Sequence, residues 1–516
     1  MNASLARFVC RFASFVICAT LVSAANPARA GTVQTVIGPW TSQTSDLRSD
    51  WKTFGNGPSH TGYWPEALAQ CQFVPDWTAT LSENLQQVAV GRGRVFVTPQ
   101  QYFTQAWLTA LDENTGAVLW NYAFNNCYSI NPPTYDDGHV YVQRGNHSTD
   151  TQLWSFYAQS GVPYWVTPHS AQWEAYMAPT IAEGKVWVDG GYYGGMYGFQ
   201  QSDGVQLFYQ GMPQYDGWTP TYYAGKIYSW VAGFLTQHDP LSGQPLWVAN
   251  LGWNWQGWTM GRTSAITNGR AYLVGNPNLY AVDLTTHRLS WSVAGNFNGT
   301  PAVANGVVYA LSGGFVKAYD AWDGSYIGVF VGEANLLDQP IATDDLLMFS
   351  SPSHTYVYDQ SSYQNLLTIP FGGHLSFANR RLYIATSTGA VRTYAVTGGG
   401  APRANLVAEW QPWERSMNDA GTTVRGRLSI SNTGTMDAPA FRVGVYLSDD
   451  VHLDATDTPL ASTSFSSLLT GETQSATVEI NWTPELSNHY VLAVADTADV
   501  VPETNENNVA PSDKIP

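Results

Sequence analysis

Leu111-Asp112-Glu113-Asn114-Thr115-Gly116-Ala117-Val118-Leu119-Trp120 reads as a tight turn running into a strand. Gly116 supplies the positive φ such a turn needs, and Trp120, eight positions after Asp112, brings a large apolar area to the strand that follows. The same frame recurs at Tyr157 to Trp165, Gln200 to Phe208, Asp239 to Trp247, Asp283 to Trp291, Asp320 to Gly328 and Asp359 to Leu367. Gly161, Gly204, Gly243 and Gly324 repeat the turn glycine, whereas His287 and Tyr363 replace it in two copies. A second motif precedes each frame. Pro133, Pro179, Pro220, Pro301 and Pro340 stand five residues before a turn at Gly138, Gly184, Gly225, Gly306 and Asp345, and alternating strands such as Lys185-Val186-Trp187-Val188 follow. Gly93, Gly269 and Arg380 mark that turn without the proline.

Each unit is thus four strands, A to D, with tight turns at A–B and C–D. The period of about 41 residues is that of a four-stranded propeller blade. Eight A–B–C units are present but only seven D strands follow them. Phe73 to Leu81, with Trp77 where the other tryptophans stand, supplies the eighth. The expectation is an all-β chain, an eight-bladed β-propeller over 72–397 followed by an Ig-like β-sandwich, with an N-terminal strand completing the last blade so that no edge is left there. A solenoid or a pair of sandwiches does not account for the missing strand.

These residues resemble the pyrroloquinoline-quinone-type (PQQ-like) propeller repeat, whose pattern runs close to A-x-D-x-x-T-G-x-x-x-W. Trp51-Lys52-Thr53-Phe54-Gly55 and His60-Thr61-Gly62-Tyr63 resemble the lead-in of that superfamily. The resemblance covers about residues 51 to 397 and implies the fold; many members bind no quinone. Beyond the break Gly398-Gly399-Gly400-Ala401-Pro402, a linker at 398–404 opens a second domain at 405–516. There Leu428-Ser429-Ile430, Phe441 to Leu447, Val478 to Trp482 and Tyr490 to Ala495 alternate as sandwich strands. Asn432, Gly434, Tyr446-Leu447-Ser448-Asp449 and Glu503-Thr504-Asn505-Glu506-Asn507-Asn508 make it similar to the bacterial cell-adhesion-related (CARDB) Ig-like domain.

Composition agrees with all-β. Of 516 residues, 44% are hydrophobic, 14% aromatic and only 12% charged, with 21 Trp and 47 Gly. The net charge of −17 excludes a general nucleic-acid binder, which needs a basic footprint. Residues 1–30 read as a signal peptide: Arg7 and Arg11, an apolar run from Phe12 to Val22, then Ala28-Arg29-Ala30. That run is too short to span a bilayer, and no later one suffices, so no transmembrane segment is expected. Ile17 before Cys18 argues against a lipid anchor. The chain is expected to be exported, periplasmic or extracellular, with 31–71 as lead-in. Cys71 and Cys127 survive cleavage and are expected unbonded, since they flank D strands towards opposite faces.

No metalloprotease, nucleophile-elbow, phosphate-loop or dinucleotide motif occurs, so no catalytic residue is assigned. Quinone enzymes of the resembled family commonly carry adjacent cysteines beneath the quinone. Cys71 and Cys127 are not adjacent, so no PQQ or other cofactor is expected. Asp449, Asp450, Asp454 and Asp457 cluster in one loop, as calcium ligands or as a solvated hairpin tip.

The D–A connectors share a face with the longest B–C loops and carry Tyr128, Trp173, Tyr176, Tyr215, Trp218, Trp253, Trp255 and Trp258. Trp173, Tyr176, Trp218, Trp253, Trp255 and Trp258 are the candidate ligand residues. They either stack on a carbohydrate or anchor a protein partner, or they pack between blades. Two functions of different class follow: a secreted non-catalytic binding or adhesion protein working through the propeller loop face, or a periplasmic PQQ-dependent oxidoreductase. An envelope-assembly scaffold is the third alternative.

Overall fold

The computed structural model describes residues 35–44 and 50–515, except 82–83, 101–103, 146–150, 172–176, 192, 254–258, 276, 399–402, 412, 419–420, 435, 482, 484–485, 487–488, 499, 504–507 and 513–514. The expected signal peptide and most of the expected linker lie outside the described residues, as do Trp173, Tyr176, Trp255 and Trp258. No described helix is long and apolar enough to cross a membrane.

Eight antiparallel sheets of four strands, one of them with a split inner strand, succeed one another among the described residues. We number them I (89–127), II (129–169), III (180–210), IV (221–250), V (265–293), VI (297–331), VII (341–369) and VIII (374–398). The outer strand of VIII is Cys71–Thr80, which pairs antiparallel with Ala390–Gly398. The arrangement is propeller-like. Where the frame begins with aspartate, that side chain caps the hairpin: Asp320 Oδ1 accepts the Trp322 and Asp323 amides, and Asp112 those of Asn114 and Thr115.

The frame's tryptophan packs not on the glycine of its own frame but on the turn glycine of the next sheet. Four indoles reach across to the following sheet, where the ring lies against the turn glycine and the N–H finds a carbonyl. Trp77 Nε1 donates to Glu113 O (2.8 Å), Trp120 to Ala158 O (3.0 Å), Trp165 to Gln201 O (2.9 Å) and Trp291 to Ala321 O (3.0 Å). A Cβ on Gly116, Gly161, Gly204 or Gly324 would sit 2.4–2.7 Å from the facing indole, so these positions need glycine for space as well as for φ. The two exceptions are compensated. Trp247 stacks on His287 (4.4 Å between centroids), and Tyr363 stands against Gly328, the position a tryptophan would otherwise hold.

Hydroxyl and amide side chains also join neighbouring sheets near their inner strands. Thr98 Oγ1 donates to Asn131 O, Thr134 to Pro179 O, Thr180 to Pro220 O, Thr221 to Ser264 O, and Gln339 Nε2 to Pro301 O. Ser350 Oγ reaches Gly373 O, and Ser376 Oγ returns from VIII to Val88 O in front of I. Sheet VIII is thus tied to the segment just before sheet I.

Residues 51–64 do more than lead in. Strand A is the innermost of each sheet, and its free edge must find partners. Lys52 O accepts the Tyr135 amide, Pro58 O that of Tyr222, Ser59 O that of Ile266, Thr61 O that of Val303 and Gly62 O that of Ala342, all within 2.7–3.0 Å. Trp51 pairs with Val90, Thr53 Oγ1 donates to Pro179 O, and Trp64 packs edge-on against Phe377. His60, fully buried, lies 3.0 Å from both Thr180 Oγ1 and Pro220 O. The segment thus touches the inner part of all eight sheets.

The C-terminal domain is a sandwich of a six-stranded and a four-stranded sheet around Trp410, Leu428, Val443, Val478 and Val491. Residues before the propeller complete it: Thr35–Ile37 and Thr41–Thr44 both pair with Glu472–Asn481. The sandwich rests on A–B turns. Tyr223 Oη donates to Trp410 O (2.7 Å), Thr267 Oγ1 to Glu409, and Asn405 Nδ2 to Asp344 Oδ2 (3.1 Å). Cys71 and Cys127 are free thiols, and burial pushes Cys127 up to about 11.

Trp291→Ala removes both the ring on Gly324 and the N–H on Ala321 O. It is expected to cost about 3–5 kcal/mol, read as a shifted denaturant midpoint, whereas an exposed surface substitution costs under about 0.5.

Candidate functional site

With lead-in and sandwich on the A–B turns, the face left for a ligand is the one built by B–C loops and D–A connectors. One cleft on this face lies between sheets II and III. Strand D of II ends at Pro168-His169-Ser170, and the glycine-rich loop 190–195 carries Tyr193 above strand C of III. Together with Tyr197, Gln206 and Tyr209 they line a cleft of about 460 Å³. Gly194 (φ 71°) lets that loop fold close enough for Tyr209 Oη to donate to its carbonyl. Tyr197 lies between His169 (4.8 Å) and Tyr209 (4.7 Å) and donates to Ser170 O.

The floor of the cleft is polar and buried. Gln143 Nε2 donates to His169 Nε2 (3.1 Å) and to Asp189 O (3.2 Å), which places the histidine's proton on Nδ1. Burial drives His169 down to about 4, with only the Thr167 backbone opposing, so the ring is neutral at pH 7. Asp189 is held well above the usual carboxylate range by burial first and by neighbouring Asp216 second. It lies beneath the cleft rather than among its lining residues. The walls thus present aromatic faces, hydroxyls and an amide.

The sequence-predicted residues fare unequally. Trp253 is 59% exposed on this face, its ring edge-on to Tyr215 and Phe234. Trp218 is 1% exposed and donates from Nε1 to Tyr215 O; it packs within the connector and offers no surface to a ligand. Trp173, Tyr176, Trp255 and Trp258 lie outside the described residues. The cleft of Tyr193, Tyr197, Tyr209 and His169 escaped the sequence reading, because all four belong to strands or a B–C loop rather than to connectors. The pairing of Gly190-Gly191 with Gly194-Gly195 was the available signal.

The acidic loop does not gather into a metal site. Asp449 pairs with His489 Nε2 (2.9 Å), while Asp450 and Asp454 accept backbone amides at His452 and Thr456, and Asp457 that of Asp454. No group of three metal-binding side chains occurs among the described residues.

Residues 64–214 and 232–327 match the family model described as outer membrane protein assembly factor BamB, and residues 404–511 match the CARDB model. Among solved structures, BamB from Moraxella catarrhalis is similar at 16% identity and a TM-score of 0.53, over 63% of this chain and all of that one. The quinohemoprotein alcohol dehydrogenase from Comamonas testosteroni is similar at 14% and 0.53, over 68% of this chain and 81% of that one. The designed Ika8 protein is similar at 12% and 0.52, over 62% and 99%. No curated protein gives a significant match. The chain is therefore similar to a PQQ-like propeller over residues 64–214 and 232–327 and to a CARDB domain over 404–511, and the structural likenesses show the fold alone. The cleft does not suit a tricarboxylate quinone: no Lys or Arg lines it, and the two thiols stand in different sheets, VIII and I.

His169 yields a pH prediction. A folded pKa below the unfolded value gives stability that is present above about 6.5 and lost as pH falls towards 4. Compared with the parent, His169→Gln is expected to flatten the acid limb of stability between pH 6.5 and 4 by roughly 3 kcal/mol, measured by urea midpoints across that range.

Proposed function

We propose that the eight sheets are the blades of one closed ring, and that the protein is an exported, non-catalytic binding protein whose platform is the loop face of sheets II to IV. The observation that carries this is the one-sidedness of the molecule. The lead-in and the sandwich occupy the A–B turns, while the opposite face carries the tyrosine cleft and exposed Trp253. Exposed aromatic rings of this kind supply contact area at low entropy cost and act as anchors for a protein partner or a carbohydrate. A protein partner is the reading favoured by the likeness to the BamB model, and with it an envelope-assembly scaffold. The CARDB domain then fixes the orientation of the ring rather than serving as a loose tether.

The mature chain, immobilised, is expected to capture an envelope partner that the Trp253→Ala, Tyr193→Ala double variant holds at least about 30-fold more weakly, about 2 kcal/mol. Both side chains are exposed, so the melting temperature should not move. Asn114→Ala on the opposite face serves as control. Equal capture by parent and double variant overturns the loop-face reading. Retention of quinone absorbance after mixing with PQQ and calcium, followed by gel filtration, would favour the oxidoreductase instead.

A further inference from the structure

The junction between sheets VI and VII lacks an indole. At four junctions the tryptophan of one sheet fills the slot against the next and donates to the carbonyl just after the frame's first residue: Glu113, Ala158, Gln201 and Ala321. The equivalent residues here are Gly328 and Gln360. No side chain leaves Gly328, and no protein donor reaches the Gln360 carbonyl among the described residues. The Tyr363 ring stands against Gly328 but fills the slot only in part, and a cleft of about 300 Å³ remains. Tyr309, Ala318, Ile327, Phe330 and Tyr363 form its apolar walls, and Gln360 lines it together with Asp344 and Asp345.

Beside this cleft runs Tyr326–Val331, the outer strand of VI, with the sequence Tyr-Ile-Gly-Val-Phe-Val. It carries no charge, and Tyr326, Ile327 and Val331 are 58%, 42% and 53% exposed. An outer strand keeps one backbone edge unpaired, and a contiguous exposed apolar strip marks an interaction surface.

We propose that the VI–VII slot receives the indole of a tryptophan on a partner protein, whose backbone lies along Tyr326–Val331. The occupant is defined by the molecule's own repeats. A ring of indole size lies between aromatic and aliphatic walls, and its N–H meets the Gln360 carbonyl as the internal indoles meet theirs. A phenyl ring fits the walls but has no proton for that carbonyl. This site lies away from the loop face and stands independently of the platform proposed there.

Ligand-observed NMR titration of the full mature chain with N-acetyl-tryptophanamide tests it, with N-acetyl-phenylalaninamide as comparison. Saturable binding of the tryptophan amide, at least tenfold tighter than the phenylalanine amide, is the expected result. Gly328→Trp combined with Tyr363→Gly installs the pair seen between V and VI; it should fold with an undiminished melting temperature and lose binding at least tenfold. Ile327→Glu, at an exposed position, should weaken binding at least fivefold without refilling the slot, and decides the matter should the double variant misfold. No saturable binding to the parent, equal affinity for the two amides, or full binding by Ile327→Glu overturns the proposal.

Discussion

Eight innermost strands present backbone donors towards the axis of this molecule, and no sheet can satisfy them alone. Residues 51–64 resolve that constraint by supplying carbonyls to one strand after another, from Tyr135 through Ala342. Much else follows from it. The chain must enter at the centre before it can form sheet I, so its next strand, Cys71–Thr80, is available to pair with the last sheet. The A–B turns, already occupied at their inner ends, become the seat of the sandwich, where desolvation holds Glu409 above its usual range. The loop face is what remains.

The repeat was legible because its chemistry is local. A turn needs glycine at Gly116, an aspartate caps it, and a strand of alternating pattern leads to a tryptophan. The partnership of that tryptophan with the glycine of the next sheet was not legible from one copy. Gly328 and Tyr363 look like two unrelated lapses until the structure places one ring against the other position. The role of residues 51–64 was hidden for a different reason. Its bonds are mostly made by backbone carbonyls, which leave no mark on side-chain choice. The same holds for Thr35–Ile37 and Thr41–Thr44, whose partners lie more than four hundred residues away.

The candidate site shows where aromatic counting falls short. Trp218 and Trp253 stand in similar connectors, yet one is enclosed and the other open. Sequence places both on a face but does not say which ring the connector folds over. The Tyr193–Tyr209 cleft depends on how closely a glycine loop returns to strand D, a tertiary distance. Function follows the same division. The family likeness fixes the fold, and the distribution of occupied and open surfaces narrows what the fold can do.

Both ends of the described chain terminate in the sandwich: Thr35–Ile37 on one sheet and Val509–Pro511 on the other. A pull applied between the two termini is therefore borne first by the ladder of Thr35–Ile37 and Thr41–Thr44 on Glu472–Asn481. The propeller hangs as a slack loop in parallel with that clasp. Tension reaches its hub only after the clasp peels open, so a protein stretched between two attachments would keep its ring intact under loads that already strip the sandwich.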